Sequence, residues 1–323
     1  GEFVEVWVVE CGLDWRDSHR ATVRSTLDRH LIPAFGDLPV GSISKSDVLQ
    51  LRTRLAKLSG RNGNASLSAK TINRVIQVLG QILEEAADRF GFVNPVKKVK
   101  RLRQSRVEIH PFSMDEVQLL ISSVRSDYRD YLVVRFFTGM RTGELHGLRW
   151  SRVDFERRQL LVRDAWVGGK LDETKTDGSI RNIEMSQPVF DALMSQREAT
   201  FQPGVDSYVF SNRMGEPFDV DNITNRLWYP LLRNLGLAKR RPYQTRHTFA
   251  TLLLAAGENP EFVARQLGHA NTMMLFKTYS RYVPNLTRRD GSAFDRLVTG
   301  AMVPANAAEM TTVSRNGGVS DAA

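Results

Sequence analysis

Three short stretches of this 323-residue sequence carry side chains suited to work on a phosphate ester. Residues 138–145 read Thr-Gly-Met-Arg-Thr-Gly-Glu-Leu and supply Arg141 and Glu144. Residues 173–178 read Glu-Thr-Lys-Thr-Asp-Gly, with Lys175 just before a turn signal at Asp177-Gly178. Residues 241–282 supply Tyr243, the adjacent Arg246 and His247, then Leu267-Gly268-His269, then Tyr279 and Tyr282. Two arginines, a lysine, a histidine and a tyrosine are the parts needed to attack a phosphodiester with a phenol. Each has a plainer role when taken singly. Arg141 could pair with Glu144 at i+3 on a helix surface, Lys175 could be a solvated hairpin tip, and either tyrosine a half-buried helix residue. His247 reads as structural.

The elements that must hold these groups follow from hydrophobic period and caps. Ser113, with Asp115 and Glu116 in the first turn, starts a helix. A second spans about 127–138 and stops at Gly139, and a third opens at Arg141, which puts that arginine at a helix N-terminus where an anion is already favoured. Residues 159–185 are strand-rich: Gln159–Val167 as one strand, Ile180–Met185 as another. Helices follow over Gln187–Thr200 and Asn222–Leu235, with a short strand at Tyr208–Phe210 between them. Asn225, Arg226, Arg233, Lys239 and Arg240 are further candidates for phosphate contact. Thr245–Ala256 is helical, Asn259-Pro260 opens the next helix, which ends at Gly268, and a last helix runs from Met273 to Tyr282.

The first third is helical and basic. Helices are expected over 15–31, stopped before Pro33, from Ser44 or Ser46 to Leu58, and over 68–91, with a Gly/Asn-rich break near 60–65. Residues 1–110 carry 18 Lys and Arg against 12 Asp and Glu, leaving 27 against 24 for the rest of the 45 and 36 in the chain. That imbalance favours a polyanionic partner. Asn94-Pro95 then opens an extended run with six basic residues (Lys97, Lys98, Lys100, Arg101, Arg103 and Arg106) before the next acid, Glu108. It reads as an interdomain linker that crosses DNA. If all six met phosphates, affinity would fall with a log–log salt slope of about −5. The expected fold class is mainly α with a small β-sheet (α+β). The expected divisions are 1–93 helical, 94–110 linker, 111–302 second domain and 303–323 a flexible tail.

Cys11 is the only cysteine, so neither a disulfide framework nor a thiolate metal site is available. The six histidines form no HExxH-like pair, which disfavours a metal nuclease, and there is no Walker A sequence for ATP. No apolar run reaches membrane-spanning length, so no membrane partner and a cytoplasmic setting are expected. Gly1-Glu2-Phe3 reads as a cloning scar, with an earlier segment of the natural protein expected before it.

The set TGMRTGEL, ETKTDG, TRHTFAT, LGH and a tyrosine shortly after it resembles the tyrosine recombinases, especially integrases of temperate phages and integrative elements. The resemblance covers about residues 111–290, and residues 1–110 look like that family's helical core-binding domain. It implies that Arg141 and Arg246 clamp the scissile phosphate, that Lys175 protonates the leaving 5′-oxygen, and that His269 hydrogen-bonds the phosphate or the phenol. It further implies that Glu144 steadies Arg141 or its neighbours and that Tyr279, ten residues past His269, is the nucleophile, with Tyr282 its rival. Tyr243 departs from the pattern, which often has histidine there. A phenol with a pKa near 10 is a poor base at neutral pH, so the group that deprotonates the nucleophile stays open between His269 and water.

The reaction implied is cleavage to a 3′-phosphotyrosine and a free 5′-hydroxyl, then rejoining, with no cofactor, metal or ATP. The implied partners are double-stranded attachment core sites, clasped by two domains in a C-shaped clamp, and a homotetramer on two sites. A host bending protein, a directionality factor and a bacterial cytoplasm also belong to that picture. Residues 285–302 are expected to form a last helix that docks on a neighbouring protomer. Two rivals remain: a type IB topoisomerase-like relaxing enzyme, and a non-catalytic DNA-binding protein of the same fold.

Overall fold

The computed structural model describes residues 1–60, 65–104, 108–173 and 180–280. Two compact units meet in sequence between Glu108 and Ile109. The fold is mainly α, with small antiparallel sheets confined to the second unit.

The first unit contains α1 (Glu2–Cys11), α2 (Asp17–Thr26, Leu27–Leu31 and Ile32–Phe35 in one run), α3 (Lys45–Lys57) and α4 (Ala69–Phe90). Helix α4 carries the apolar stripe that organises the unit: Ile72, Val75, Ile76, Leu79 and Leu83 are buried with Trp7, Leu27, Leu51 and Leu55. Ser44 caps α3 in a box with Asp47, and Ser68 caps α4. Helix α2 does not stop before Pro33. Its Leu27–Leu31 segment is a wider, π-type turn in which Ile32 N–H reaches back to Leu27 O, and this slip accommodates a proline that has no N–H to give. Helix α1 was not foreseen. It has no side-chain cap, and Trp7 is its only buried residue, so packing rather than local pattern supports it.

The basic segment after α4 is docked along this unit. Pro95–Lys98 forms a 3₁₀ turn capped by Asn94, whose amide also bonds Gly80 O and Glu84. Asn73, on α4, donates to Leu102 O (2.8 Å) and accepts from Leu102 N–H (2.9 Å). Arg52 donates to Lys100 O.

The second unit begins with α5 (Met114–Ser123), α6 (Arg129–Thr138) and α7 (Thr142–His146). Gln159–Val167 is two strands, not one. Strand β2 (Gln159–Val162) lies between β1 (Val153–Asp154) and β5 (Arg181–Glu184), antiparallel to both, with Val162 opposite Arg181. Strand β3 (Asp164–Val167) pairs instead with β4 (Lys170–Glu173) around Gly168-Gly169. The break coincides with Asp164, a buried carboxylate drawn to Arg149 (2.9 Å) and Arg152 (3.5 Å). Helix α8 (Gln187–Thr200) packs along α6, and α9 (Val220–Asn222, Ile223–Trp228 and Tyr229–Asn234 in one run) closes a core holding Phe136, Leu145, Leu160, Ile183, Leu193 and Trp228. Tyr208–Phe210 forms only a single bridge, Arg149 with Tyr208.

The last described helices are α10 (Gln244–Ala255), α11 (Pro260–Leu267) and α12 (Met273–Tyr279). They share a core of Phe249, Leu254, Val263, Leu267, Leu275 and Tyr279. Residues 109–112 are stitched to α10: His110 N–H donates to Gln244 Oε1 and Phe112 N–H to Thr248 Oγ1, both at 2.9 Å. No described helix is long and apolar enough to cross a membrane. Among the described residues, no three His, Cys, Asp or Glu gather as metal ligands do.

Candidate active site

Two helix ends and one strand bring three guanidinium groups together. Helix α6 terminates at Gly139, whose φ of +61° suits glycine and whose added Cβ would meet Phe249 Cδ1 at 2.4 Å. The chain then turns to set Arg141 as the N-cap of α7. Gly143 lets β3 approach α7, since a Cβ there would lie 2.8 Å from Trp166 O. The β3–β4 hairpin is thereby packed onto the helix that Arg141 begins.

Glu144 is the anionic hub. It is buried, and it accepts from Arg141 N–H (2.8 Å) and Arg141 Nη1 (2.7 Å). Arg181 donates to both its oxygens, Nη1 at 3.0 Å and Nη2 at 2.8 Å. Burial works against the carboxylate charge, but Arg181 and then Arg141 overcome it and hold the pKa at about 2. Arg181 also donates through Nε to Gln266 O (2.8 Å), near the end of α11.

Arg246 is almost wholly buried and, among the described residues, hydrogen-bonds to backbone. Its Nη1 donates to Gly139 O (2.7 Å) and its Nη2 to Leu267 O, so the C-terminal ends of α6 and α11 both point at it. Desolvation lowers its pKa to about 10, which still leaves it charged at neutral pH. Arg141 and Arg181 thus share one hydrogen-bonded carboxylate, Glu144, whose charge also reaches Arg246 without a hydrogen bond. An excess of positive charge on fixed donors, buried at Arg181 and Arg246 and half exposed at Arg141, suits a phosphate diester.

His269 follows the α11 terminus, tied by its N–H to Ala264 O (2.9 Å). Its half-buried ring is held neutral, at about 4, by desolvation and then by Arg246, Arg141 and Arg181. No described group hydrogen-bonds its buried Nδ1. Tyr279 is buried at the end of α12, where burial lifts its phenol to about 12. Its Oη lies 2.9 Å from His247 Nδ1. Tyr243 is exposed, and its ring meets the His247 ring edge-on at 5.1 Å. Lys175, Tyr282 and Arg106 lie outside the described residues.

The profile of the Phage integrase family matches residues 111–285, and that of the Phage integrase central domain matches residues 1–90. The chain belongs to the phage integrase family. Similar proteins include IntQ of Escherichia coli K12, described as a defective protein, at 31% identity over 75% of this chain and 69% of that one. The prophage integrase IntR of the same organism is 26% identical over 88% of this chain and 77% of its own length. Among solved structures, the Tn1549 transposon integrase in complex with a circular intermediate DNA superposes with a TM-score of 0.74 at 21% identity, covering 92% of this chain and 98% of that one. A λ integrase dimer bound to a COC′ core site gives 0.65 at 16%, covering 86% and 94%.

In this integrase the structure gathers Arg141, Glu144, Arg246 and His269 into one constellation, with Tyr279 joined to it through α10. The basic residues of the docked segment are elsewhere, on the first unit. Lys97 pairs with Glu84 at 2.6 Å, while Lys98, Lys100, Arg101 and Arg103 are exposed without an ion pair among the described residues.

The sequence motifs do not single out Arg181, and His247 reads from them as structural; both lie in or beside the constellation. Arg181 left a signal: on β5 it shares the buried side with Ile183, opposite Val162, and a charge on the apolar side of a strand needs a buried partner. His247 left none, because its partner is 32 residues away on another helix.

Proposed function

We propose that this integrase cuts and rejoins DNA at specific sites through a covalent tyrosine intermediate, to move a phage or other mobile element. The observation that carries this reading is the pairing of half-exposed Arg141 and buried Arg181 on Glu144 beside buried Arg246, with the buried Tyr279 on a neighbouring helix. Arg141 and Arg246 would take the nonbridging oxygens of the scissile phosphate, and Glu144 would keep Arg141 aimed. Donors held by the fold before DNA binds would stabilise charge that grows on the nonbridging oxygens without reorganisation; losing one such donor costs about 3–4 kcal/mol of barrier in comparable sites. Tyr279 Oη would attack to give a 3′-phosphotyrosine, Lys175 would protonate the departing 5′-oxygen, and His269 would hydrogen-bond the phosphate. Attack by a different 5′-hydroxyl would reverse these steps. Neither ATP nor metal enters this scheme.

Residues 1–93 would bind the core site, the 94–110 segment would lay Lys98, Lys100, Arg101 and Arg103 on phosphates, and residues 111–302 would form the catalytic domain. A λ integrase tetramer on a Holliday junction shares the fold at a TM-score of 0.65 and 15% identity, covering 89% of this chain and 78% of that one. Four copies of this chain on two attachment sites is the matching assembly, acting in the bacterial cytoplasm.

The test is trapping on a nicked duplex copied from the insertion junction of the element that encodes the chain. A protein–DNA adduct formed by wild type and Tyr282→Phe but absent in Tyr279→Phe supports the reading. Salt-sensitive binding with no adduct from wild type would instead favour a non-catalytic DNA-binding protein.

A further inference from the structure

Attack by the Tyr279 phenol needs an acceptor for its proton. Tyr243, itself a phenol, is a poor base at neutral pH, and its ring meets that of His247. His269 sits among three arginines, where a lone pair facing an anionic phosphate would be misplaced and an N–H would be useful. One ring nitrogen does meet the phenol: His247 Nδ1, at 2.9 Å from Tyr279 Oη. We infer that His247 is a catalytic residue, the general base that takes the Tyr279 proton through Nδ1 during strand cleavage and returns it during rejoining. This rests on Tyr279 being the nucleophile, as proposed above.

The geometry fits the task in three respects. His247 follows Arg246 directly on α10, so the helix that positions one phosphate donor also positions the base. The ring is gripped on two sides, by the Tyr243 edge at 5.1 Å and by Tyr279, whose ring centroid lies 5.7 Å away. Finally, the charged and titratable groups facing it are Arg246 and Tyr243 on its own segment, Tyr279 on α12, and His269 after α11. None of these is a carboxylate that would hold the ring protonated, so with hydrogen on Nε2 the Nδ1 lone pair is available.

The step balances without an added reactant. The Oη–P bond forms and the P–O5′ bond breaks; the Oη proton passes to His247 Nδ1, and the 5′-oxygen takes its proton from the general acid. In rejoining, the incoming 5′-hydroxyl gives its proton to the conjugate base of the general acid, the P–O5′ bond forms, the Oη–P bond breaks, and the imidazolium reprotonates Oη. Before DNA binds, the proton belongs on the phenol, since burial and Arg246 disfavour the imidazolium. A phosphate seated among the arginines offsets their charge and strengthens the base at the point where it is needed.

Single-turnover adduct formation on the same nicked duplex, at saturating DNA, compares wild type with His247→Ala, His247→Asn and Tyr279→Phe. General bases contribute about 100- to 10,000-fold. Both His247 variants are expected to slow cleavage by at least about 100-fold with DNA affinity unchanged, and added imidazole should restore much of the rate to His247→Ala. The wild-type rate should rise with pH along an acid limb that both variants lack. A His247→Ala rate close to wild type overturns the inference. A fast His247→Asn beside a slow His247→Ala also overturns it, because a hydrogen bond alone would then suffice. An adduct retained by Tyr279→Phe defeats the underlying reading and the inference with it. Should the variants fail to fold, ¹⁵N chemical shifts of wild-type His247 decide: an unprotonated Nδ1 supports the assignment and a protonated one overturns it.

Discussion

Arg181 spans both carboxylate oxygens of Glu144, at 3.0 and 2.8 Å, so the residue that orients Arg141 is itself held by a second arginine from the sheet. The Nε of Arg181 continues to Gln266 O, which ties that carboxylate to the helix preceding His269. Arg141, Glu144 and Arg181 are therefore set by one network, not as independent side chains.

Breaking that network by removing one partner is expected to cost stability as well as activity. Arg181→Ala leaves a buried carboxylate with Arg141 alone, and losses of about 3–5 kcal/mol follow from uncompensating a buried ion pair. Urea unfolding should show that drop, and trapping should show slower cleavage. The Glu144 pKa of about 2, below its ordinary 4.5, means that this stabilisation is complete above 4.5 and fades as pH falls toward 2. Glu144→Gln should lack that part of the acid sensitivity.

His146 also favours its deprotonated form, here the neutral one. It is fully buried against Tyr131 Oη (2.9 Å), with Arg135 nearby, and desolvation lowers it to about 3 from 6.5. The unfolded chain binds this proton first, so stability is expected to fall as pH drops below 6.5 and to go on falling toward 3. Denaturation midpoints measured across that range should flatten in His146→Gln relative to wild type, after correction for its lower starting stability.

Arg246→Lys tests whether geometry or charge matters at the buried clamp. A lysine keeps the charge but lacks the planar fork that meets Gly139 O and Leu267 O together and, on the proposed mechanism, must also reach the phosphate. Cleavage is expected to fall by about 100- to 1,000-fold, with DNA affinity little changed in a filter-binding or mobility-shift measurement.

Asn73→Leu tests the docking of the basic segment. The leucine removes both hydrogen bonds to Leu102 and leaves its N–H and C=O unpaired. Trypsin should then cut faster at Lys100, Arg101 and Arg103. Ordering those residues on DNA would cost more, so affinity should drop and the salt slope become shallower. Unchanged proteolysis would show that the segment is held by other contacts.

Much of this was legible in the sequence because it is local. The capping boxes at Ser44 and Ser113, the stripe on α4, and the helices around the TGMRTGEL and TRHTFAT stretches depend on residues within a few positions of one another. The family resemblance likewise rests on short motifs in order, and those motifs contain Arg141, Glu144, Arg246 and His269, with Tyr279 shortly after them. The errors arose where local pattern is silent. The continuation of α2 through Pro33 depends on a one-residue slip in its hydrogen bonding, and the split of β2 from β3 goes with the ion pairs of Asp164.

What the tertiary structure alone decided is which atoms meet. That Arg246 would be gripped by the ends of α6 and α11, that Arg181 would join Glu144, and that His247 would find Tyr279 are contacts across 107, 37 and 32 residues. No cap or period encodes such pairs. They exist because the Phe249–Leu267–Leu275 core packs α10 against α11 and α12, and because the Leu160–Ile183 core turns the Arg181 side of β5 toward α7. The amino-acid types determined what chemistry was available; the packing of apolar faces elsewhere determined where each group came to rest.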